Sequence, residues 1–541
     1  MFKITLIIFL FSSLGAFSQV TQDWVTRFNG TGNNMDIANA IVVDGSGNVY
    51  VTGHSIGSGT SYDYVTIKYN SNGVMQWSQM YNGTGNAEDF ARSIAVDGSG
   101  NVYVTGGSRG SGTFDDYVTI KYNTDGVWQW GQAYNGPGDG DDEAKSIAVD
   151  GAGNVYVTGQ SFGSGTLFDY ATIKYNSDGV EQWVQRYHGP GDGSDRAYSI
   201  AVDGSGNVYV TGESPGSGSG KDYATIKYSS DGTGLWLQRY NGTGNSDDAA
   251  LSIAVDVSGN VYVTGDSWGS GGTGSDYATI KYNTDGYGQW VQIYNGPPGT
   301  GLDFAFSIAV DGSGNVYVTG NSSGIGTGPD YATIKYNSAG VMQWTSRYNG
   351  PANNFDYAYS IALDGSGNAY VTGRSSGSGT GSDYATIRYN SDGTEQWVQR
   401  YTELDYDWAS SIAVDGSGNV YVTGRSSGSG TSEDYATIKY SQVIGIKSIS
   451  SEIPNGYKLL QNYPNPFNPS TKIHLALPKS SFAKLVVYDV LGRVVSTLVD
   501  EQLKAGTYEV DWNALNNPSG VYYYRLVIDG FTETRKMILI K

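Results

Sequence analysis

The tripeptide Val-Thr-Gly recurs at Val51, Val104, Val157, Val210, Val263, Val318, Val371 and Val422, spaced 53 residues apart in all but two intervals. Self-similarity at such a period means a stack or ring of like units, none of which can bury its hydrophobic face alone. Each unit reads Ile-Ala-Val-Asp, a Gly/Ser/Asn turn, Val-Tyr-Val-Thr-Gly, a Gly/Ser loop, Asp-Tyr-Ala-Thr-Ile-Lys-Tyr, a second turn and a strand built around Trp. Short runs of β-branched and aromatic residues between turn formers are strands joined by hairpins. The unit is therefore a four-stranded antiparallel meander, and the predicted fold class is all-β.

Strand order decides between stack and ring. The Trp strand occurs at Trp24, Trp77, Trp130, Trp183, Trp236, Trp290, Trp344 and Trp397, so the repeats begin with a fourth strand and end, at Tyr440, with a third. An open stack leaves an unpaired edge at each end; pairing the Trp24 strand with Asp434–Tyr440 removes both. An eight-bladed β-propeller over residues 20–441, closed by the N-terminal strand, follows, with a seven-bladed ring and one spare unit as the alternative. Within a blade the Ile-Ala-Val strand is expected innermost and the Trp strand outermost. The motif IAVDGSGNVYVTG, nearly unchanged in every unit, resembles the SBBP family of β-propeller repeats, which implies the same fold.

Residues 1–18, MFKITLIIFLFSSLGAFS, combine an early Lys, an apolar run and small residues before Gln19. That is the pattern of a secretory signal peptide cleaved after Ser18. No other apolar run is long enough for a transmembrane helix, and without a single Cys an exported fold rests on packing and hydrogen bonds. A formal net charge of −20 argues against a nucleic-acid partner, which needs a basic footprint.

Beyond residue 441 the period is lost. Residues 442–456 read as a polar linker and 457–541 as a small β-sandwich of alternating apolar strands broken by Pro, Gly and Asn. The motifs Asn462-Tyr463-Pro464-Asn465-Pro466-Phe467, Gly506-Thr507-Tyr508, Ser519-Gly520-Val521-Tyr522 and the closing Lys536 to Lys541 resemble the type A C-terminal sorting domain of the type IX secretion system. The resemblance implies that the type IX machinery is a partner, and that the protein is secreted from, or attached to the outer membrane at the surface of, a Gram-negative cell.

Three Asp residues recur in every unit: one ending the first strand (Asp44 and its copies), one opening the third (Asp63 and its copies) and one preceding the first (Asp36, Asp89, Asp142, Asp195, Asp248, Asp303, Asp356 and Asp407). Repetition in all eight units points to turn capping or pairing with the Lys of Thr-Ile-Lys-Tyr; the sharper alternative puts the last set at the channel mouth as Ca²⁺ ligands. Asp139, Asp141 and Asp142 form the densest acidic cluster, a second candidate Ca²⁺ site set against a solvated loop. No cofactor is otherwise expected. Three His and no Cys leave no zinc site, the Gly-rich loops lack the P-loop pattern, and no carboxylate pair for glycoside hydrolysis stands out.

Positions that vary between units say more. In D-x-A-x-S-I the two x residues include Phe304, Phe306, Tyr357, Tyr359 and Trp408. Near the channel mouth these aromatics would stack on sugar rings or grip a peptide, and the competing reading is packing between blades. The expectation is a non-enzymatic, surface-exposed binding propeller for a glycan or a surface protein. A carbohydrate-active enzyme on the same scaffold and a purely structural surface component are the alternatives.

Overall fold

The computed structural model describes residues 20–541 except 271–273, 298–300, 429, 443–446, 451 and 515–516; the signal peptide expected at 1–18 lies outside the described residues. The chain divides into a unit spanning Gln22–Ser441 and one containing Gln442–Lys541.

Blade 1 is the antiparallel meander Asp36–Val43, Val49–Ile56, Tyr62–Tyr69 and Met75–Tyr81. Six more four-stranded blades follow it in order. Blade 8 takes Asp407–Val414, Val420–Ser427 and Glu433–Gln442 from the end of the repeats and its outer strand, Val20–Phe28, from their beginning. The innermost strands of successive blades meet all the way round, that of blade 8 against that of blade 1. The ring is eight-bladed and no unit is spare.

Both faces of each blade are covered by its neighbours, so the inner strands need little polar alternation. Tyr50 and Tyr64 of blade 1 pack on Ala91, Ile94, Val102, Val104, Val118 and Ile120 of blade 2. Tyr421 and Tyr435 of blade 8 pack in the same way on Ala38, Ile41, Val49 and Val51 of blade 1. Burying a side chain of this size contributes roughly 1.5–3 kcal/mol. The hydroxyls stay paired as buried donors must: Tyr64 donates to the Val118 carbonyl at 3.4 Å and Tyr50 to Asp44 at 3.0 Å.

Asp44 caps the turn between the first two strands. It accepts from the Ser46 and Asn48 amides, the Asn48 side chain and Tyr50 at 2.7–3.0 Å. Burial pushes its carboxyl up, but these hydrogen bonds outweigh that and hold it below the ordinary carboxylate range. The expected Asp–Lys pairing does not form here. Lys68 instead donates to the Thr124 carbonyl of blade 2 at 2.9 Å and lies over the Tyr50 ring, so the Lys ties one blade to the next.

A guanidinium clamp does the same nearer the rim. Arg186 in the outer strand of blade 3 donates to Tyr134 of blade 2, to the hydroxyl and carbonyl of Ser161, and to Asp169 at 2.8 Å. Arg27, Arg239, Arg347 and Arg400 repeat this contact with Asp434, Asp222, Asp330 and Asp383. Arg27 is thus the lock of the closed ring. Beside it Trp24 donates to the Ser71 carbonyl at 3.1 Å and covers Gly73 of blade 1. Gly73 has φ +78°, and a Cβ there would lie 2.6 Å from the indole, so this turn accepts glycine alone.

The C-terminal unit is a sandwich of two four-stranded sheets, one ordered Lys447–Ser450, Gly506–Asn513, Ser470–Leu477, Lys458–Leu459 and the other Val494–Leu503, Ser481–Tyr488, Gly520–Ile528, Phe531–Leu539. Leu475, Leu485, Val510, Trp512, Tyr524 and Leu526 form its core. Lys447–Ser450, inside the stretch read as linker, pairs with the Gly506–Asn513 strand and so belongs to a sheet. The motif residues hold the sandwich together. Asn462 is buried and bonds the Pro464 carbonyl and Thr471, and Phe467 packs on Trp512. Pro466 precedes that buried ring, Gly520 opens its strand, the Lys536 carbonyl accepts from Gln461, and the Lys541 amide donates to Ser519.

Candidate functional site

Where the inner strand begins, a β-bulge interrupts its pairing with the second strand in every blade. In blade 1 the register passes from Ala38 to Ala40 and leaves Asn39 unpaired; Arg92, Lys145, Tyr198, Leu251, Phe306, Tyr359 and Ser410 are the counterparts. Bulges re-aim side chains at sheet edges and sites. The same end of each blade pairs the first variable residue with the one after Val-Thr-Gly: Ile37–His54, Phe90–Gly107, Glu143–Gln160, Arg196–Glu213, Ala249–Asp266, Phe304–Asn321, Tyr357–Arg374 and Trp408–Arg425. Since the inner strands surround the ring axis, these residues encircle one mouth of the central channel.

The mouth has two sectors. In blades 2 to 4 the charges are matched. Arg92 and Lys145 hold Glu143 at 2.7 and 2.5 Å, and Arg196 and Lys221 hold Glu213 at 2.9 and 2.8 Å. Burial raises the Glu143 carboxyl, yet Lys145 and Arg92 outweigh it and the net displacement is downward. In the adjoining blade 5, burial pushes the Asp266 carboxyl up to about 6 despite a hydrogen bond from Ser275. His54, edge-on to Tyr62 and Phe90 at 5.0 and 4.9 Å, is lowered to about 3 by burial, with Arg92 and Arg425 adding to the effect.

In blades 6 to 8 the mouth is aromatic. Phe306 lies 5.6 Å from Tyr359 of the next blade, Tyr359 is 6.3 Å from Tyr357 with the rings 5° from parallel, and Tyr357 is 6.3 Å from Phe355. Phe355 is 52% exposed, so the ladder runs from the surface to the channel wall. The Arg374 guanidinium lies over Tyr357 at 4.4 Å and over Trp408 at 4.0 Å, and that of Arg425 over Trp408 at 3.9 Å. Of the five aromatics singled out in the sequence, Phe306, Tyr357 and Tyr359 join this ladder and Trp408 reaches it through Arg374. Phe304 is half-buried opposite Asn321 and stands outside these ring contacts. The residues after Val-Thr-Gly were missed, although their variation directly behind a constant tripeptide is a legible signal.

The acidic candidates fall elsewhere. The eight Asp residues from Asp36 to Asp407 are fully buried and cap the preceding turn, as Gly30 to Asp36 at 2.8 Å and Glu403 to Asp407 at 2.9 Å illustrate. They are framework and not a cation ring at the mouth. Asp139, Asp141 and Asp142 do not converge: Asp142 accepts from the Gly136 and Phe162 amides, Asp139 from Asn135, and Asp141 lies 3.9 Å from Arg109. Among the described residues the acid and imidazole group that does converge is Asp169, His188 and Asp195. Arg186 and the Gly189 amide already occupy oxygens of its two carboxylates.

Eight closed, four-stranded sheets with a variable mouth define a β-propeller. The model of the SBBP β-propeller repeat matches residues 23–59, 76–111, 129–165, 182–218, 235–272, 289–326, 343–379 and 396–430, more than half of the chain, and that of the secretion system C-terminal sorting domain matches 461–541. The chain belongs to the SBBP β-propeller repeat family and ends in a type IX sorting domain. It is 24% identical over 420 residues to an uncharacterised WD repeat-containing protein of Acanthamoeba polyphaga mimivirus; the match covers 61% of this chain and 27% of that protein. Among solved structures it is similar to a Bacteroides thetaiotaomicron protein of unknown function (12% identity, TM-score 0.27, 77% of this chain and 98% of that one) and to an ACO/RPE65 chimera (12% identity, TM-score 0.33, 73% and 97%).

Proposed function

We propose that the protein is a non-enzymatic binding propeller, exported by its sorting domain and exposed or released at the cell surface, whose channel mouth holds a glycan. The ladder Phe355–Tyr357–Tyr359–Phe306 carries this reading. Framework aromatics such as Tyr50 and Tyr64 are 0–1% exposed with bonded hydroxyls, whereas the ladder opens to solvent at Phe355. Offset rings present apolar faces of the size and spacing of sugar CH faces. No metal is required by this reading.

The test is a glycan panel with a thermal-melt readout on the full chain, because a ligand selective for the folded state raises its stability. A stabilising glycan is expected to lose its effect on the Tyr357→Ala/Tyr359→Ala variant while the unliganded melt stays cooperative. Undiminished stabilisation of that variant would rule the ladder out. The enzyme reading keeps one supporting observation, the raised carboxyl of Asp266 near the ion-paired Glu213, an arrangement that suits acid catalysis of glycoside cleavage. New reducing ends on the bound glycan, abolished by Asp266→Asn, would replace binding with catalysis.

A further inference from the structure

The guanidinium of Arg374 is a cation of the mouth that has no counter-ion among the described residues. Its neighbour Arg425 occupies the same place in blade 8 and lies over the same Trp408, but it is ion-paired with Glu433 at 3.0 Å. Glu433 opens the third strand, opposite Ser427. The equivalent position of blade 4 is Lys221, opposite Pro215, where it balances Glu213. In blade 7 that position is Ser382, opposite Ser376, and no carboxylate reaches Arg374 among the described residues. Its Nε is buried without a partner, and so are the Trp408 indole N–H and the Asn321 Oδ1 nearby in the sequence of blades.

A buried donor left unmet is costly; Arg388 Nε and the Trp397 indole N–H are framework donors in the same state, and what sets Arg374 apart is that it lies at the variable mouth beside the aromatic ladder. The surroundings tell what would meet it. Arg374 lies over both the Tyr357 and the Trp408 rings, so its guanidinium is held in place before any ligand arrives, and a planar fork so held favours bidentate recognition of a carboxylate. The protein carries a net charge of −20, so a cation left without a counter-ion at a binding mouth is not part of a general basic surface. Tyr357 belongs both to this contact and to the stacking ladder, placing the anion site next to an apolar ring face.

Building on the glycan reading above, we propose that the mouth selects an acidic glycan, with Arg374 taking the carboxylate of a hexuronate residue whose pyranose ring stacks on the ladder. A hexuronate has a carboxylate fixed to the ring it accompanies, which matches a cation and a ring face sharing one tyrosine. An acidic peptide offers the charge on a flexible stem and no flat apolar ring. The site completes in the ligand-bound state the ion pair that blade 8 builds from its own chain.

The experiment measures affinity of the full chain, by calorimetry and melt shift, for oligogalacturonate and alginate oligomers, for methyl-esterified oligogalacturonate, for neutral glycans and for a poly-glutamate peptide. An acidic oligomer is expected to bind roughly tenfold or more tightly than the ester, as a charge-assisted bidentate contact implies. Arg374→Gln should abolish the preference for the acidic oligomer over the ester. Ser382→Glu, which supplies the counter-ion missing from blade 7, should do the same without removing the guanidinium, so the result does not hang on one variant folding. Equal binding of acid and ester, binding of neutral glycans alone, or Arg374-dependent binding of poly-glutamate in preference to the oligomers would each overturn the proposal while leaving the ladder as a platform. Failure of every glycan to bind would overturn both readings.

Discussion

The two ends of the ring are made from opposite ends of the same strands, and they have been treated in opposite ways. At the turn end, Asp44, Asn48 and Tyr50 recur in kind in every blade and make the same turn bonds, and Lys68 recurs with its bond to the next blade in all but blade 7, where Arg388 replaces it. At the mouth end, the residues before the bulge, at the bulge and after Val-Thr-Gly differ in nearly every blade. The difference separates two tasks. Bonds repeated around a ring add stability in increments, and no single copy is special; a site needs one sector unlike the rest. Symmetry therefore marks the framework, and its local failure marks the place to look for a ligand.

Three experiments press on that contrast. The largest effect is expected at the exception within the framework, the closure. Arg27→Ala leaves Asp434 a buried carboxylate without its cation and should cost about 3–5 kcal/mol, read as a lowered melting temperature of the full chain; a change no larger than that of an exposed-site control would mean that the N-terminal strand does not lock the ring. Next, Asp44→Ala removes the acceptor for four hydrogen bonds in one turn and should cost about 2 kcal/mol. The same substitution at Asp203, which caps its turn in the same way, should cost the same, and unequal costs would break the claim that framework copies are equivalent. The smallest effect is at the mouth and has the opposite sign. The Asp266 carboxyl is raised in the folded state from 3.8 to about 6, so the fold binds its proton more tightly than the unfolded chain does. Its stabilising contribution is complete below about pH 4 and lost as pH rises through about 6. Asp266→Asn should therefore raise stability at pH 8 by on the order of 1–2 kcal/mol, with the difference closing below pH 4; a destabilised variant at pH 8 would show that the charge is held by a partner.

Much of the framework was legible because strand order is written directly in the repeat: a fourth strand before the first unit and a third at the end leave ring closure as the way to pair both edges. The Lys of Thr-Ile-Lys-Tyr was misassigned because its acceptor is a carbonyl in the next blade, and a carbonyl has no signature in a sequence. The mouth was half legible. Phe306, Tyr357 and Tyr359 stood out by type, but Arg374 and Arg425 did not, since they follow the constant tripeptide on a different strand and meet the aromatics only across the pairing. The bulge left a trace that was overlooked: the buried residues Asp36, Ala38 and Ile41 are spaced by two and then by three, and a regular strand cannot bury both spacings on one face.

The lock between Arg27 and Asp434 joins residues 407 positions apart. Read in time, that distance means that the strand synthesised first is the strand used last. Loop-closure entropy grows slowly, by about 0.6 kcal/mol for each doubling of length, so the search itself adds little delay. The wait is for delivery: until Glu433–Gln442 has been made, Val20–Phe28 has nothing to pair with, and until the two meet, the third strand of blade 8 offers a bare edge to any other chain. A product stalled before Glu433 leaves Val20–Phe28 as the strand without a partner, whatever the quality of its other seven blades.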